Sequence, residues 1–205
     1  MCIVEGCNNK VVAKGLCSKH YTQIRRYGKI FKYSYRDKTN PINILDNYAE
    51  ILLIDRNNEI CGKCLIDVED VDLVKDIKWH KSDLQRSTYY CTSNDKHWKR
   101  IHRLILGITD PNVFIDHINH NGLDNRKENL RICTNQQNLC NCNIPKNNKS
   151  GCKGVYWSED RQKWCAQITI NHKTVRLGRF IDYEDAVKAR NKAAIEYYGE
   201  FANEN

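Results

Sequence analysis

The stretch from Val113 to Asn138 constrains this chain more than any other, because its punctuation leaves few ways to fold. Val113, Phe114 and Ile115 form an apolar run of strand-forming residues that stops at the polar pair Asp116-His117. Gly122 interrupts the polar loop that follows, and Leu130 to Cys133 supplies a second short strand. Thr134 stands three residues before Gln137, the spacing at which a hydroxyl and a side-chain amide cap each other's backbone at a helix start. The order strand, long loop, strand, helix leaves Asp116 and His117 at a strand end facing the first turns of the helix, where Asn138 projects.

Those groups suit metal-assisted hydrolysis, and the family resemblance given below implies a phosphodiester as the bond cut. The reaction needs a nucleophile made from water and positive charge to hold the negative charge that develops on the phosphate and the leaving oxygen. An imidazole with an ordinary pKa of about 6.5 accepts the water proton near neutrality. Carboxylate and amide oxygens are hard ligands that suit Mg2+ or Mn2+. His120 competes for the base role, but it lies in a polar loop of Asn and Gly, whereas His117 adjoins an acid at the end of an apolar strand. The asparagines at 119, 121, 125 and 129 also have a plainer use as turn residues.

The combination of His102-Arg103-Leu104, Asp116-His117, Asp124-Asn125-Arg126, Glu128-Asn129-Leu130-Arg131 and Asn138 resembles the phage and intron-encoded members of the His-Asn-His (HNH) nuclease family. The resemblance implies a central ββα-metal nuclease with an antiparallel sheet. In it Asp116 matches the acidic metal ligand and His117 the general base. Asn129, twelve residues after His117, matches the asparagine that ties the loop to the backbone, and Asn138 matches the second metal ligand. The third family letter is Asn here in place of His, which keeps an oxygen ligand. Cleavage leaving a 5′-phosphate and a 3′-hydroxyl is implied with it. His102 is a candidate for holding the phosphate, against the plainer reading of a satisfied polar residue.

Before this region, Cys2, Cys7, Cys17 and His20 make two close pairs, with four residues inside the first, nine between the pairs and two inside the second. Three thiolates and an imidazole suit tetrahedral Zn2+, and so short a segment has too few apolar residues to fold without a staple. The following segment, Tyr21 to Lys38, mixes Arg, Lys and Tyr, able to pair with phosphates and stack on bases, or to serve as a solvated basic linker. From Asn47 to Thr92, short apolar segments around the turn signal Asp55 to Asn58 predict an antiparallel sheet, with Cys61 and Cys64 as strand residues.

After a polar linker from Asn141 to Ser150 that contains Pro145, three strands are predicted at 154–157, 163–170 and 174–178. Period-two alternation puts Trp164, Ala166, Ile168 and Ile170 on one face and Lys163, Cys165, Gln167 and Thr169 on the other. A helix from Tyr183 to Tyr198 follows, N-capped by Asp182 and ended by Gly199, with a stripe of Ala186, Ala189, Ala193 and Tyr197 toward the sheet. Residues 150–203 resemble the plant ethylene-response-factor (APETALA-two) DNA-binding domain. By that resemblance Lys153, Tyr156, Lys163, Gln167, Thr169, Thr174 and Arg176 fall at DNA-facing positions, with Arg161 nearby in a turn one residue longer.

The expected fold class is therefore α+β and multi-domain: a zinc-knuckle-like module at 1–30, a basic linker at 31–46, the nuclease at 47–143, a linker at 144–150 and a three-stranded sheet plus helix at 151–205. Charge fits this division. Residues 1–38 carry nine Lys/Arg against two acids and residues 144–181 carry eight against two, so two basic ends could grip double-stranded DNA at separate points. The chain shows no run able to span a bilayer and no signal-like start, so a cytosolic protein without a membrane partner is expected, in the bacterial host if phage-encoded. Eleven cysteines are then read as reduced thiols. The leading expectation is a site-directed DNA endonuclease of the homing type. Its rivals are a DNA-binding regulator with an inactive HNH site and a structure-selective repair nuclease.

Overall fold

The computed structural model describes every residue except 84–87, 95, 98, 143, 145, 146, 172 and 203–205. Pro145 of the polar linker and Asn203 to Asn205 at the C-terminal end thus lie outside the described residues. Several small antiparallel sheets and five α-helices make up the fold among the described residues. No helix among them is long and apolar enough to cross a membrane.

The chain begins with a two-stranded hairpin, β1 (Val11–Ala13) and β2 (Leu16–Cys17), followed by helix α1 (Ser18–Tyr27). Lys14 and Gly15 turn the hairpin with φ of 51° and 73°, and Gly28 ends the helix at φ 70° with its N–H on the Ile24 carbonyl. Its apolar interior is only Cys2, Leu16 and Cys17, with Val4, Cys7 and Tyr21 at the edge.

The central sheet runs β3 (Ile42–Ile44), β4 (Ala49–Ile54), β5 (Ile60–Ile66) in that order. Every residue of β4 is buried, because it is the middle strand and is covered on both faces. Asp55 accepts from the N–H groups of Asn57 and Glu59 to close the β4–β5 turn where the sequence signals one. A short helix α2 (Val71–Val74), the hairpin β6 (Trp79–Asp83) with β7 (Tyr89–Ser93), and α3 (Ile101–Ile105) close over the sheet. Ile51, Leu53, Ile66, Val74, Trp79, Cys91, Ile101 and Leu130 form one core. Asn40 is buried at its rim, donating to the Leu52 and Trp79 carbonyls and accepting from Trp79 N–H at 2.7 Å.

Next comes the strand, loop, strand, helix unit: β8 (Phe114–His117), β9 (Leu130–Cys133) and α4 (Asn135–Asn141). The expected Thr134/Gln137 capping box opens α4, with both reciprocal bonds formed. The chain ends with the sheet β10 (Val155–Ser158), β11 (Lys163–Ile170), β12 (Lys173–Phe180), and α5 (Tyr183–Tyr198) packed on it. The buried helix stripe keeps Ala186 and Ala193 of the expected set, while Ala189 is only half-buried. Arg190 and Ala194 are buried along with Ala186 and Ala193, whereas Tyr197 is half exposed and its neighbour Tyr198 turns inward, its hydroxyl donating to the Thr169 carbonyl. A 3.6-residue repeat brings 186, 190, 193 and 194 onto one face and carries 197 past it.

The loop between β8 and β9 passes beneath β7 so closely that Gly122 has no room for a side chain. A Cβ there would lie 2.4 Å from the Tyr89 carbonyl oxygen and 2.9 Å from the Tyr90 ring. Gly122→Ala should therefore cost about 1–3 kcal/mol of stability through forced displacement. A denaturant midpoint equal to that of the parent would show that the contact is not made.

Candidate active site

Antiparallel pairing of β8 with β9 sets Asp116 opposite Arg131 and His117 opposite Leu130. Asp116 is buried, and its Oδ2 accepts from Arg131 Nε at 2.9 Å and lies 2.8 Å from Arg131 Nη2. Asn141, the last residue of α4, donates from Nδ2 to both Asp116 oxygens at 3.1 and 2.9 Å and to the His117 carbonyl at 3.2 Å. The sequence suggests contact with the first turns of the helix. These hydrogen bonds come instead from its last residue, because α4 runs back along β8.

His117 is equally buried. Its ring is 5.2 Å from that of His102 and 5.8 Å from that of Tyr90, so three aromatic rings from α3, β7 and β8 meet. Burial lowers the pKa of His117, with the Asn125 hydrogen bond and the Asp116 and Asp124 charges opposing. His102 is pushed well down, first by burial and then by the charges of His117, Arg100 and Arg103. Burial thus favours the neutral form of both rings. His120, the competing candidate, sits in a turn with φ 63°, its N–H on the His117 carbonyl and its ring within reach of the charges of Asp116 and Arg131.

Two asparagines hold the loop. Asn129 donates to Asn119 Oδ1 and to the Asp124 carbonyl, while its own Oδ1 accepts from Asn119 N–H at 2.9 Å. Asn125, fully buried, places Oδ1 3.2 Å from His117 Nε2 and donates from Nδ2 to the Cys64 thiol at 3.2 Å. An amide oxygen can only accept, so this arrangement makes His117 Nε2 the protonated nitrogen and leaves the lone pair on Nδ1. By sequence Asn125 reads as a turn residue. Its partner Cys64 is 61 positions away, and no local spacing signals such a contact. Asp124 beside it is held below its usual range: burial works against this, but Arg126 binds it through Nε and Nη2, and Asn119 adds a third bond.

Asp116 on β8 and Asn138 on α4 carry oxygen groups of the kind a hard divalent cation takes. Asp116 already draws the positive end of an amide dipole, that of Asn141, across both of its oxygens. Asn138 lies three residues earlier on the same helix, half-buried, its side chain without a hydrogen-bond partner among the described residues.

The second candidate centre is the Cys2, Cys7, Cys17, His20 group, whose ligand atoms all lie within 4.8 Å of one another. The spacings are 3.2 Å for Cys2 to His20 Nδ1, 3.6 Å for Cys17 to His20 Nδ1 and 3.8 Å for Cys7 to Cys17. A tetrahedral ion with metal–sulfur bonds of about 2.3 Å has sulfur–sulfur edges of roughly 3.8 Å, so the cluster has the size of such a site. Burial raises the Cys2 thiol, but hydrogen bonds led by that from His20 bring it down to about 6, toward the thiolate that a metal requires.

On the C-terminal sheet, Tyr156, Arg161, Gln167 and Arg176 line one depression of about 440 Å³, joined by Arg179, which lies one residue past the strand expected from sequence. Lys163, Thr169 and Thr174 are exposed nearby. Lys153 points elsewhere: its Nζ donates to the Cys140 carbonyl at 3.1 Å and to that of Cys142, at the end of α4. It joins the sheet to the nuclease unit, a role that strand alternation cannot reveal.

Residues 100–140 match the HNH endonuclease family. The chain is 35% identical over 89 residues to Protein 3.8 of Escherichia phage T7, covering 43% of this chain and 73% of that one. It is 28% identical over 180 residues to an uncharacterized HNH endonuclease of Acanthamoeba polyphaga mimivirus, covering 85% of this chain and 90% of the relative.

A base whose pKa is lowered stays in its proton-accepting form further into acid. Cleavage should rise with pH through a midpoint below 6.5, the ordinary histidine value, and then level off. A kcat/KM profile still climbing above pH 7 would contradict the buried setting of His117.

Proposed function

Since this chain belongs to the HNH endonucleases and is a nuclease, we propose that it is a homing-type enzyme that cuts double-stranded DNA at a directed site in the host cytosol. The observation that carries this reading is a buried His117 next to a carboxylate, Asp116, that faces the Asn141 amide at the end of α4. Asp116 and Asn138 would hold Mg2+ or Mn2+, which when bound supplies stabilisation for the charge on the phosphate and the leaving oxygen.

His117 accepts the proton of the attacking water at Nδ1. Asn125 keeps the other ring nitrogen protonated and the ring in place. Asn129 fixes the loop, and with it the angle at which His117 is presented. His102 packs against His117 and excludes water from its flank, and it is the candidate for holding the phosphate. Arg131 holds Asp116 in one rotamer from the opposite strand.

The C-terminal sheet is the proposed reader, in the manner of the ethylene-response-factor fold, through Tyr156, Arg161, Lys163, Gln167, Thr169, Thr174 and Arg176, with Arg179 added. Guanidinium groups would reach phosphates or guanine edges, and Gln and Thr would read bases. Cys2, Cys7, Cys17 and His20 bind structural Zn2+ in this reading.

The test is cleavage of a plasmid that carries the host DNA, in Mg2+ or Mn2+. His117→Ala should lower kcat by about 10²- to 10⁴-fold, the usual contribution of a general base. Asp116→Ala should abolish stimulation by the metal, and undiminished conversion by His117→Ala would remove the proposed base. For the zinc centre, Cys17→Ser should lose bound zinc by elemental analysis and lower the thermal midpoint. Equal metal content in the two proteins would rule that centre out.

A further inference from the structure

A second basic depression, of about 440 Å³, lies where the Cys/His module meets the central sheet. Its walls come from three separate segments: α1, the turn at Ser34 to Arg36, and the β4–β5 turn at Arg56 to Asn58. Lys19, Arg26, Arg36 and Arg56 line it together with Tyr27 and Tyr35, and no carboxylate is among the lining residues.

The acids nearby are already engaged. Asp37 binds Lys19 Nζ at 2.7 Å and the Ser34 N–H at 2.9 Å, while Asp55 closes its own turn and Glu59 lies 3.3 Å from Lys29. Arg26, Arg36 and Arg56 have no ion-pair or side-chain hydrogen-bond partner for their guanidinium groups among the described residues. The segments are not loosely apposed. Tyr35 N–H donates to Asn58 Oδ1 at 2.9 Å, Phe31 N–H to Gln23 Oε1 at 3.4 Å, and the Tyr35 ring lies 5.5 Å from that of His80.

Three unneutralised guanidinium groups held around one hollow repel one another, and an anion relieves that repulsion. Their planar forks match phosphate oxygens, and two tyrosines beside them offer flat apolar surface to a sugar or base. We propose that this hollow is a cradle for the phosphate backbone of duplex DNA, separate from both the catalytic loop and the C-terminal sheet. This rests on the reading of the chain as a DNA-binding nuclease. It gives the Cys/His module a definite role, which is to order α1 so that Arg26 meets Arg36 and Arg56.

The test is fluorescence anisotropy of the full chain, carrying His117→Ala so that the probe stays intact, on a labelled duplex of mixed sequence over a range of salt concentrations. The triple variant Arg26→Gln, Arg36→Gln, Arg56→Gln should bind about tenfold or more weakly at moderate salt. Its plot of log K against log salt should be shallower by roughly 0.9 for each phosphate that the variant no longer neutralises. The triple Arg→Lys variant keeps the charges and should keep most of the slope, which controls for misfolding. An unchanged slope and affinity in the Gln variant overturns the cradle. If the protein with its arginines intact shows no salt-dependent affinity at all, the DNA-binding reading itself has failed.

Discussion

The pairing of β8 with β9 is the constraint from which the site follows. Four paired positions place Asp116 across from Arg131, so that a guanidinium fork reaches the carboxylate from the neighbouring strand. The same register brings His117 to the strand end, where the loop can fold over it. A slip by one residue would turn both side chains to the opposite faces and separate them from α3, α4 and β7.

What the strands begin, buried amides complete. Asn125, Asn129 and Asn141 are each almost inaccessible to solvent, and each makes hydrogen bonds from both ends of its amide or from several of its hydrogens. Amides do this without adding charge, so the site keeps a neutral imidazole beside a carboxylate. Burial is the leading cause of the lowered His117 pKa, and it is supplied by Tyr90 and His102 from elements far apart in the chain. The core beneath β7 and α3 therefore also bears on the protonation of His117.

Arg131 links that site to the C-terminal sheet and helix. Besides Asp116 it donates to the Glu200 carbonyl at 2.8 Å, and its guanidinium lies 3.8 Å from the centre of the Phe201 ring. Lys153 makes a second tie, to the end of α4, and Asn171 N–H a third, to Gln136 Oε1 at 3.1 Å. The carboxylate and the turn just beyond α5 thus share one arginine. Backbone order in that turn bears on the rotamer of Asp116.

The sequence alone determined the local elements around the site, because their signals are short in range. An apolar run ends in Asp116-His117, a capping box opens α4, and alternation defines the C-terminal sheet, while Asp182 stands at the start of α5 without a side-chain capping bond. The four members of the N-terminal Cys/His cluster were equally legible, since two close pairs of residues able to bind a metal declare themselves by spacing. Only the tertiary structure decided what surrounds those elements. It joined Cys64 to Asn125, set Arg56 and Arg26 around one hollow, turned Lys153 away from the open sheet face, and brought the end of α4 to Asp116. Each is a meeting of segments whose separation in the chain carries no period or motif, and such meetings are fixed by packing, not by pattern.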